Sequence, residues 1–413
     1  MRVVKSTWPL LLATVLAGNL AAQPAYDAIN DPPHNYNQRR PRDKFTRLQD
    51  DIESGKIPLD RSSEKAFLVS LLKVLDVPVS SQTLVFSTTS LQLSRISPAN
   101  PRAIYFNEEV YVGYIPGGRI EIVALDPTLG AIFYIMDAPI DGAAMTIERT
   151  GQCMNCHSGE DAGHVPGLLI KSVIPGPGGG SLDAFRIAKS GHGIPFEERF
   201  GGWHVTGQHG ITNHLGNFTG KLANGQLTLI PNPHGQRFRV DKYPVATSDI
   251  LPHLLHEHQV GFVNRAVEAT YRARTIEYIS DGKPDAKQTR ELDEQAHIVT
   301  RYLLFADEVP LPPGGVVGDA EYRNDFRQNR RATADGRSLK DFDLQTRMFK
   351  YRCSYMIYSP VFEGLHPLVK QRVIARIKDA LSDKESEFAY LPIAERQAIR
   401  EILRATLPEF AVN

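Results

Sequence analysis

Cysteine is scarce, with 3 residues in a chain of 413. That excludes a disulfide-stapled scaffold, which needs several pairs. Net charge is absent: Lys plus Arg total 47 and Asp plus Glu total 47. Bulk electrostatics therefore give no attraction to nucleic acid, to an anionic membrane surface or to a highly charged partner. Beyond the first two dozen residues no apolar run approaches the length of a membrane span. No internal repeat is evident. The Gly/Pro-rich stretch at 175–180 lacks the Gly-Lys-Ser/Thr ending of a phosphate loop and reads as a hairpin tip.

Two of the three cysteines stand together in Cys153-Met154-Asn155-Cys156-His157. A Cys-x-x-Cys-His run is the attachment site of a c-type haem. Its two thiols add across the haem vinyl groups, and the adjacent imidazole is the proximal iron ligand. The motif predicts one covalent haem c, held by Cys153 and Cys156 and ligated by His157. The rival is a zinc half-site, which needs two further ligands, commonly a second cysteine pair. Only Cys353 is left to supply one.

The N-terminus fits the compartment in which such haem is attached. Arg2 and Lys5 precede an apolar stretch at 8–16, followed by Ala17-Gly18-Asn19-Leu20-Ala21-Ala22. This is the pattern of a secretory signal peptide cleaved after Ala22, too short for a stable anchor and with no lipoprotein cysteine. A buried N-terminal helix is the alternative. The expectation is a periplasmic or secreted bacterial protein with no integral membrane segment after cleavage.

Hydrophobic residues make up 42% of the chain, enough for an ordinary packed interior. Residues 23–62 are polar and proline-containing and read as a leader that drapes over the core or stays mobile. A helix is predicted over 63–75, from Phe67, Leu71, Leu72 and Leu75. Strands then dominate: 83–87, 104–106, 110–114, 120–125 and 131–135 form a β-meander that runs into the motif. Further strands are predicted at 203–206, 227–230 and 237–240. Helices follow at 248–274, capped by Ser248 or Asp249, and at 286–305, capped by Asp285. A long polar loop covers 309–340, and helices at 343–358, 367–382 and 393–405 complete the chain. The fold class is therefore α+β: a β-rich haem-bearing region at 63–245 and a helical region at 246–413 packed on it.

A compact class I cytochrome c is excluded, because its motif opens a short helical domain and an axial methionine follows. Here strands precede the motif, and the next methionines after Met154 are Met348 and Met356. For the sixth iron position three histidines are candidates. His258 faces inward with Leu251, Leu254, Leu255 and Phe262 on the 248–274 helix. His214 lies in the loop Asn213-His214-Leu215-Gly216-Asn217, and His192 lies in Gly191-His192-Gly193. Met348, Met356 or an open position are the remaining options. Two histidines suit low-potential electron transfer, methionine raises the potential, and an open position admits a small molecule.

Weaker constellations have structural explanations. His253, His256, Glu257 and His258 lie on different helix faces and lack the His-Glu-x-x-His spacing, and Glu294-x-x-His297 lacks its second half-site; both clusters read as solvated helix surface. The aromatic run at 351–358 reads as core. Arg199, Trp203 and Arg352 are candidates for binding haem propionates or closing the pocket.

Several phrases carry a family resemblance. They are Pro101-Arg102-Ala103-Ile104-Tyr105-Phe106-Asn107, Tyr111-Val112-Gly113, the haem motif, and Arg199-Phe200-Gly201-Gly202-Trp203-His204-Val205-Thr206-Gly207. His214-Leu215-Gly216-Asn217, Glu257-His258-Gln259, Leu304-Phe305-Ala306-Asp307-Glu308 and Arg352-Cys353-Ser354-Tyr355-Met356-Ile357-Tyr358-Ser359 continue it. Over residues 80–410 the chain resembles the largely uncharacterised secreted bacterial proteins described as cytochrome c domain-containing. The resemblance implies haem binding and electron transfer with a periplasmic redox partner protein, and it implies no substrate. Phe200 and His204 stand where that pattern has Trp and Tyr, which alters the haem surroundings. Whether the chain is an electron carrier, a haem enzyme such as a peroxidase, or a haem-based sensor is left open by the sequence.

Overall fold

A computed structural model describes residues 28–138, 145–185, 191–382 and 387–411. The segment read as a signal peptide, residues 1–22, lies outside them. Residues 28–62 do more than drape. Helix α1 (Lys44–Glu53) is capped by Asp43, whose carboxylate accepts from Thr46 N at 2.9 Å, and it buries Phe45 and Ile52 completely. Tyr36 donates to the Ala131 carbonyl at 2.6 Å, so this segment is part of the core. Helix α2 (Glu64–Val74) follows, capped by Ser63, with Phe67, Leu68, Leu71 and Leu72 buried.

The meander is present as read. Strands β1 (Thr83–Val85), β2 (Arg102–Phe106), β3 (Val110–Tyr114), β4 (Ile120–Asp126), β5 (Gly130–Met136) and β6 (Ile147–Arg149) pair antiparallel in chain order. Strands β7 (Ser172–Pro175) and β8 (Ser181–Phe185) form a hairpin, and residues 176–180 are its tip. Strand β9 (Trp203–His204) returns to cover the free edge of β1, giving a seven-stranded sheet in the order β6-β5-β4-β3-β2-β1-β9. Strands β10 (Phe218–Ala223) and β11 (Gln226–Pro231) make a second hairpin. The strand expected at 237–240 is absent: the backbone there leads into a 3₁₀ turn at Val240–Lys242 and finds no partner strand.

The motif forms a single helical turn, α3 (Met154–His157). The long helix α4 (Ile250–Ile279) is capped by Asp249 at Leu251 N, 3.0 Å. Residues 250–263 are buried without interruption, so α4 is a central helix with hardly a solvent face in that stretch. This corrects the surface reading of His253, His256 and Glu257, which are 1%, 3% and 1% exposed. Helix α5 (Ala286–Leu303) starts in the capping box of Asp285 and Gln288 and packs on α4. Its Glu294 and His297 are on the surface, as expected. Within the stretch read as a polar loop lies helix α6 (Ala320–Arg327). Its buried stripe is only Tyr322 and Phe326, too short to show as periodicity. Conversely, 343–358 is not a helix: Leu344 takes φ 60° and only Tyr355–Tyr358 forms a 3₁₀ turn. Its aromatics are core, as read. Helices α7 (Pro360–Glu363), α8 (Pro367–Ala380), α9 (Ile393–Thr406) and α10 (Pro408–Ala411) complete the architecture. The chain is thus α+β, an antiparallel sheet with helices behind it.

Gly364 closes α7 directly against the β4–β5 turn, where an added Cβ would overlap the Pro127 carbonyl. Gly364→Ala should destabilise the protein by about 1–3 kcal/mol through overpacking against backbone. Urea unfolding measures this, and an unchanged midpoint would contradict the contact.

Candidate functional site

Strand alternation sorts the sheet into two faces. One carries Ala103, Tyr105, Val112, Tyr114, Ile120, Ile122 and Ala124, all at most 3% exposed. On the other face, two cross-strand rows run side by side. The first is Phe106–Tyr111–Val123–Phe133, the second Ile104–Gly113–Glu121–Ile135. Arg102, two residues before Ile104, shares this face. Here Ile104 and Val123 are only partly covered, an open apolar floor in a sheet whose other face is sealed.

The motif stands beside that floor. On one helical turn, residues three and four apart share a side, so Cys153, Cys156 and His157 are presented together while Met154 is buried in the core. Cys156 is exposed and Cys153 half-buried. The His157 ring packs on Phe133 with centroids 4.5 Å apart. Its Nδ1 lies 3.0 Å from the Gly167 carbonyl oxygen. A carbonyl only accepts, so Nδ1 carries the proton and Nε2 keeps its lone pair. Gly167 N in turn donates to the His157 carbonyl at 2.9 Å. The next residue is held by α4: Asn264 accepts from Leu168 N at 2.8 Å and donates to Leu168 O at 2.9 Å. Burial pushes the His157 imidazole down to about 4, so it is the neutral form a metal requires.

Arg102 lies across Gly113, where a Cβ would fall 2.7 Å from its Nε. Its Nη2 pairs with Glu121 Oε2 at 2.7 Å. Glu121 also accepts from Ser90 Oγ at 2.6 Å and Gln92 Nε2 at 2.9 Å. Burial alone would raise the Glu121 carboxyl, but Arg102 and these hydrogen bonds outweigh it and hold it below the usual carboxylate range. Leu91 and Leu93, beside Ser90 and Gln92, are exposed and give the floor an apolar rim. At the far end of the first row the His256 ring stacks on Phe106 at 4.9 Å and tilts over Tyr111 at 5.7 Å. The Arg102 charge is felt at both His157 and His256.

The three sequence candidates for the sixth position sit in other company. His258 is two residues from His256 and therefore on the opposite side of α4. Its Nδ1 meets His192 Nδ1 at 2.8 Å and its Nε2 meets Ser354 Oγ at 2.7 Å, so ligating iron would cost both contacts. His192 stacks on Tyr302 and Phe305 at 4.2 and 4.7 Å. His214 accepts from Gly216 N at 3.0 Å beside His209. The groups proposed for propionates are committed elsewhere. Arg199 is buried, bonding Ile194 O and His192 O and pairing with Glu257 at 3.4 Å. Trp203 Nε1 donates to Lys171 O, and Arg352 pairs with Glu395 at 2.6 Å. Cys353 is a fully buried free thiol.

Among the described residues no three His, Cys, Asp or Glu side chains converge to hold a metal ion, so the zinc reading finds no second pair there. The residues present fit a covalent haem: two thiols and a tautomer-fixed imidazole on one side, beside an apolar floor left partly open. A separate groove of about 480 Å³, lined by Ile29, His34, Tyr271 and Ile276 among others, contains none of the buried polar atoms that lack partners.

The chain matches no family model, no curated protein and no solved structure. The site therefore rests on its own residues. Two of them, Arg102 and Glu121, were passed over in the sequence, and a third, His256, was read there as solvated surface. The available signal was parity: Arg102 and Glu121 interrupt apolar strands at positions that fall on one face.

Two outcomes follow. In the haem-free chain at pH 8, Cys156 should alkylate first. Burial pushes the Cys153 and Cys353 thiols up to about 12, leaving roughly 10⁻⁴ of each as thiolate. Mass spectrometry of timed iodoacetamide samples checks this, and early labelling of Cys353 would refute its burial. The second concerns acid. Burial pushes His253, His256 and His258 down to about 3 and His157 to about 4. The unfolded chain protonates these near 6.5, the fold much lower, so stability is complete above pH 6.5 and lost as pH falls toward 3. Each contributes a slope of about 1.4 kcal/mol per pH unit. Glu308, pushed up to about 7 by burial, opposes them as a single group. Denaturant midpoints of the haem-free chain should fall clearly between pH 7 and 5; a flat profile would refute the neutral buried histidines.

Proposed function

We propose that this chain is a periplasmic monohaem c-type cytochrome that exchanges electrons with another periplasmic redox protein. Cys153 and Cys156 hold the haem and His157 is its proximal ligand. The observation that carries this reading is the His157 Nδ1–Gly167 carbonyl contact at 3.0 Å, which leaves Nε2 unprotonated on an imidazole that shares one helical turn with both thiols. Haem, when bound, supplies one-electron chemistry at a potential set by its ligands and surroundings. The chain's own residues do the rest. Gly167 fixes the ring and strengthens Nε2 as a donor. Ile104, Val123 and the Leu91–Leu93 rim offer apolar surface to the macrocycle.

Export by residues 1–22 belongs to this proposal, as does a soluble life outside the inner membrane. No helix among the described residues is long and apolar enough to cross a membrane. Zero net charge implies docking through local contacts, without long-range steering.

A second reading has its own support: the same haem acts on a small molecule. His258 and His192 are bonded to each other, so neither stands free to close the sixth position. Expression with haem-attachment machinery tests both. The mature chain should carry one covalent haem, Cys153→Ala and Cys156→Ala should each lose a thioether, and His157→Ala should abolish the native Soret spectrum. A low-spin ferric EPR signal, with a dithionite-reduced absorption spectrum indifferent to carbon monoxide, supports the electron carrier; a high-spin ferric signal, with a reduced spectrum that shifts on adding carbon monoxide, supports the second reading. Absence of covalent haem would end both.

A further inference from the structure

Two buried nitrogens beside the motif have no hydrogen-bond partner among the described residues: Arg102 Nε and His256 Nδ1. Buried polar atoms are nearly always satisfied, and an orphan calls for an explanation such as a missing ligand. These two lie on the same sheet face, one across Gly113 and the other over Phe106 and Tyr111. Val123, between Tyr111 and Phe133 in the cross-strand row, is the partly open floor separating His256 from His157. With strands about 4.8 Å apart, His256 over β2 and β3 and His157 over β5 stand roughly 12 Å apart. One metal ion bridges imidazole nitrogens only about 4 Å apart, at about 2 Å per bond. A metal held by His157 would therefore be too far away for His256 to ligate it.

Charge narrows what that molecule is. The Arg102 guanidinium is already balanced by Glu121, which Ser90 and Gln92 hold ionised. His256 is neutral, and burial keeps it so. The pair therefore brings no net charge: one N–H donor on Arg102 and one nitrogen on His256 that accepts or donates according to tautomer. An anion would meet Glu121 in a buried setting without compensation. Edge-on aromatics complete the wall, with Trp203 6.0 Å from the His256 ring.

Building on the haem reading, we propose that Arg102 and His256 form the binding site for a small neutral molecule with both an O–H donor and an oxygen acceptor, of which hydrogen peroxide is the simplest. Arg102 Nε–H donates to its oxygen, and His256 Nδ1 accepts from its O–H. The Arg102–Glu121 pair positions the donor, and Gly113 gives it room. His256 is the group placed to hold a proton released from the ligand.

The test uses the full mature chain with its haem attached. Wild type, Arg102→Leu, Arg102→Lys, His256→Leu and His256→Gln are compared, with haem content and the reduced haemochrome spectrum as the control for attachment. The first readout is the C–O stretching band of the ferrous carbon monoxide complex, which reports on hydrogen-bond donors near the ligand. The second is the rate of the ferric Soret change on mixing with hydrogen peroxide. Loss of either side chain should shift the C–O band. His256→Leu should slow the peroxide reaction by about 10²-fold or more, with His256→Gln intermediate. Arg102→Lys should restore part of what Arg102→Leu loses.

The band and the rate unchanged in every variant, with haem normally attached, would overturn the proposal and leave the haem reading intact. Wild type inert to both carbon monoxide and peroxide would overturn it equally. Tight azide binding by ferric wild type that weakens in Arg102→Leu would overturn the neutral-ligand assignment in favour of an anion site. Failure of wild type to take up haem removes the haem reading itself, and the missing attachment distinguishes that case.

Discussion

For fourteen residues, 250–263, helix α4 is buried on every side, and its polar groups must be satisfied almost entirely from inside. The internal partners on its several sides follow from that one constraint. His253 Nε2 donates to His204 O on the strand that closes the sheet. Gln259 accepts from Tyr111 and donates to Tyr355, tying sheet to C-terminal aromatics. His258 engages His192 and Ser354, and Glu257 faces Arg199. A buried helix this polar is stable only if each partner arrives, which makes the network specify one arrangement. His256 is where the pattern breaks, because one of its nitrogens is left without a partner among the described residues.

The legible part of the fold was local. The meander could be read because its strands are dense in β-branched and aromatic residues and are separated by turns such as Asp126-Pro127-Thr128. Helices α2, α4, α5, α8 and α9 announced themselves through caps and proline starts, with ends within a few residues. Helix α6 escaped because two buried aromatics four apart are no periodicity, and 343–358 misled because density of apolar residues was mistaken for a helical stripe. Its side chains pack in all directions from irregular backbone.

The site divides the same way. Cys153, Cys156 and His157 are contiguous, so spacing alone identified them as a group. Arg102, Glu121 and His256 come from β2, β4 and α4, and only pairing register brings them to one face. The surface reading of His253, His256 and Glu257 failed for a specific reason. Polar residues on a helix suggest solvent unless the helix is buried all round, and that depends on the sheet, α5 and the 351–358 segment closing over it. Inwardness was correct for His258, yet its environment is a stack of rings and a hydroxyl with the motif on the other side of the helix.

The clamp between Asn264 and Leu168 places Gly167, and with it the carbonyl that orients His157, under control of the same helix that carries His256. Eight residues separate His256 from Asn264, about 12 Å of rise. Two arms facing one another are thus mounted on a single stiff rod. Their separation is set by the helix together with the short segment at 167–168 that it clamps, and a change in the oxidation state of anything held between them would meet a frame with little freedom to rearrange. Low reorganisation is what fast electron exchange demands, and here it would be a property of a helix axis more than of any single ligand bond.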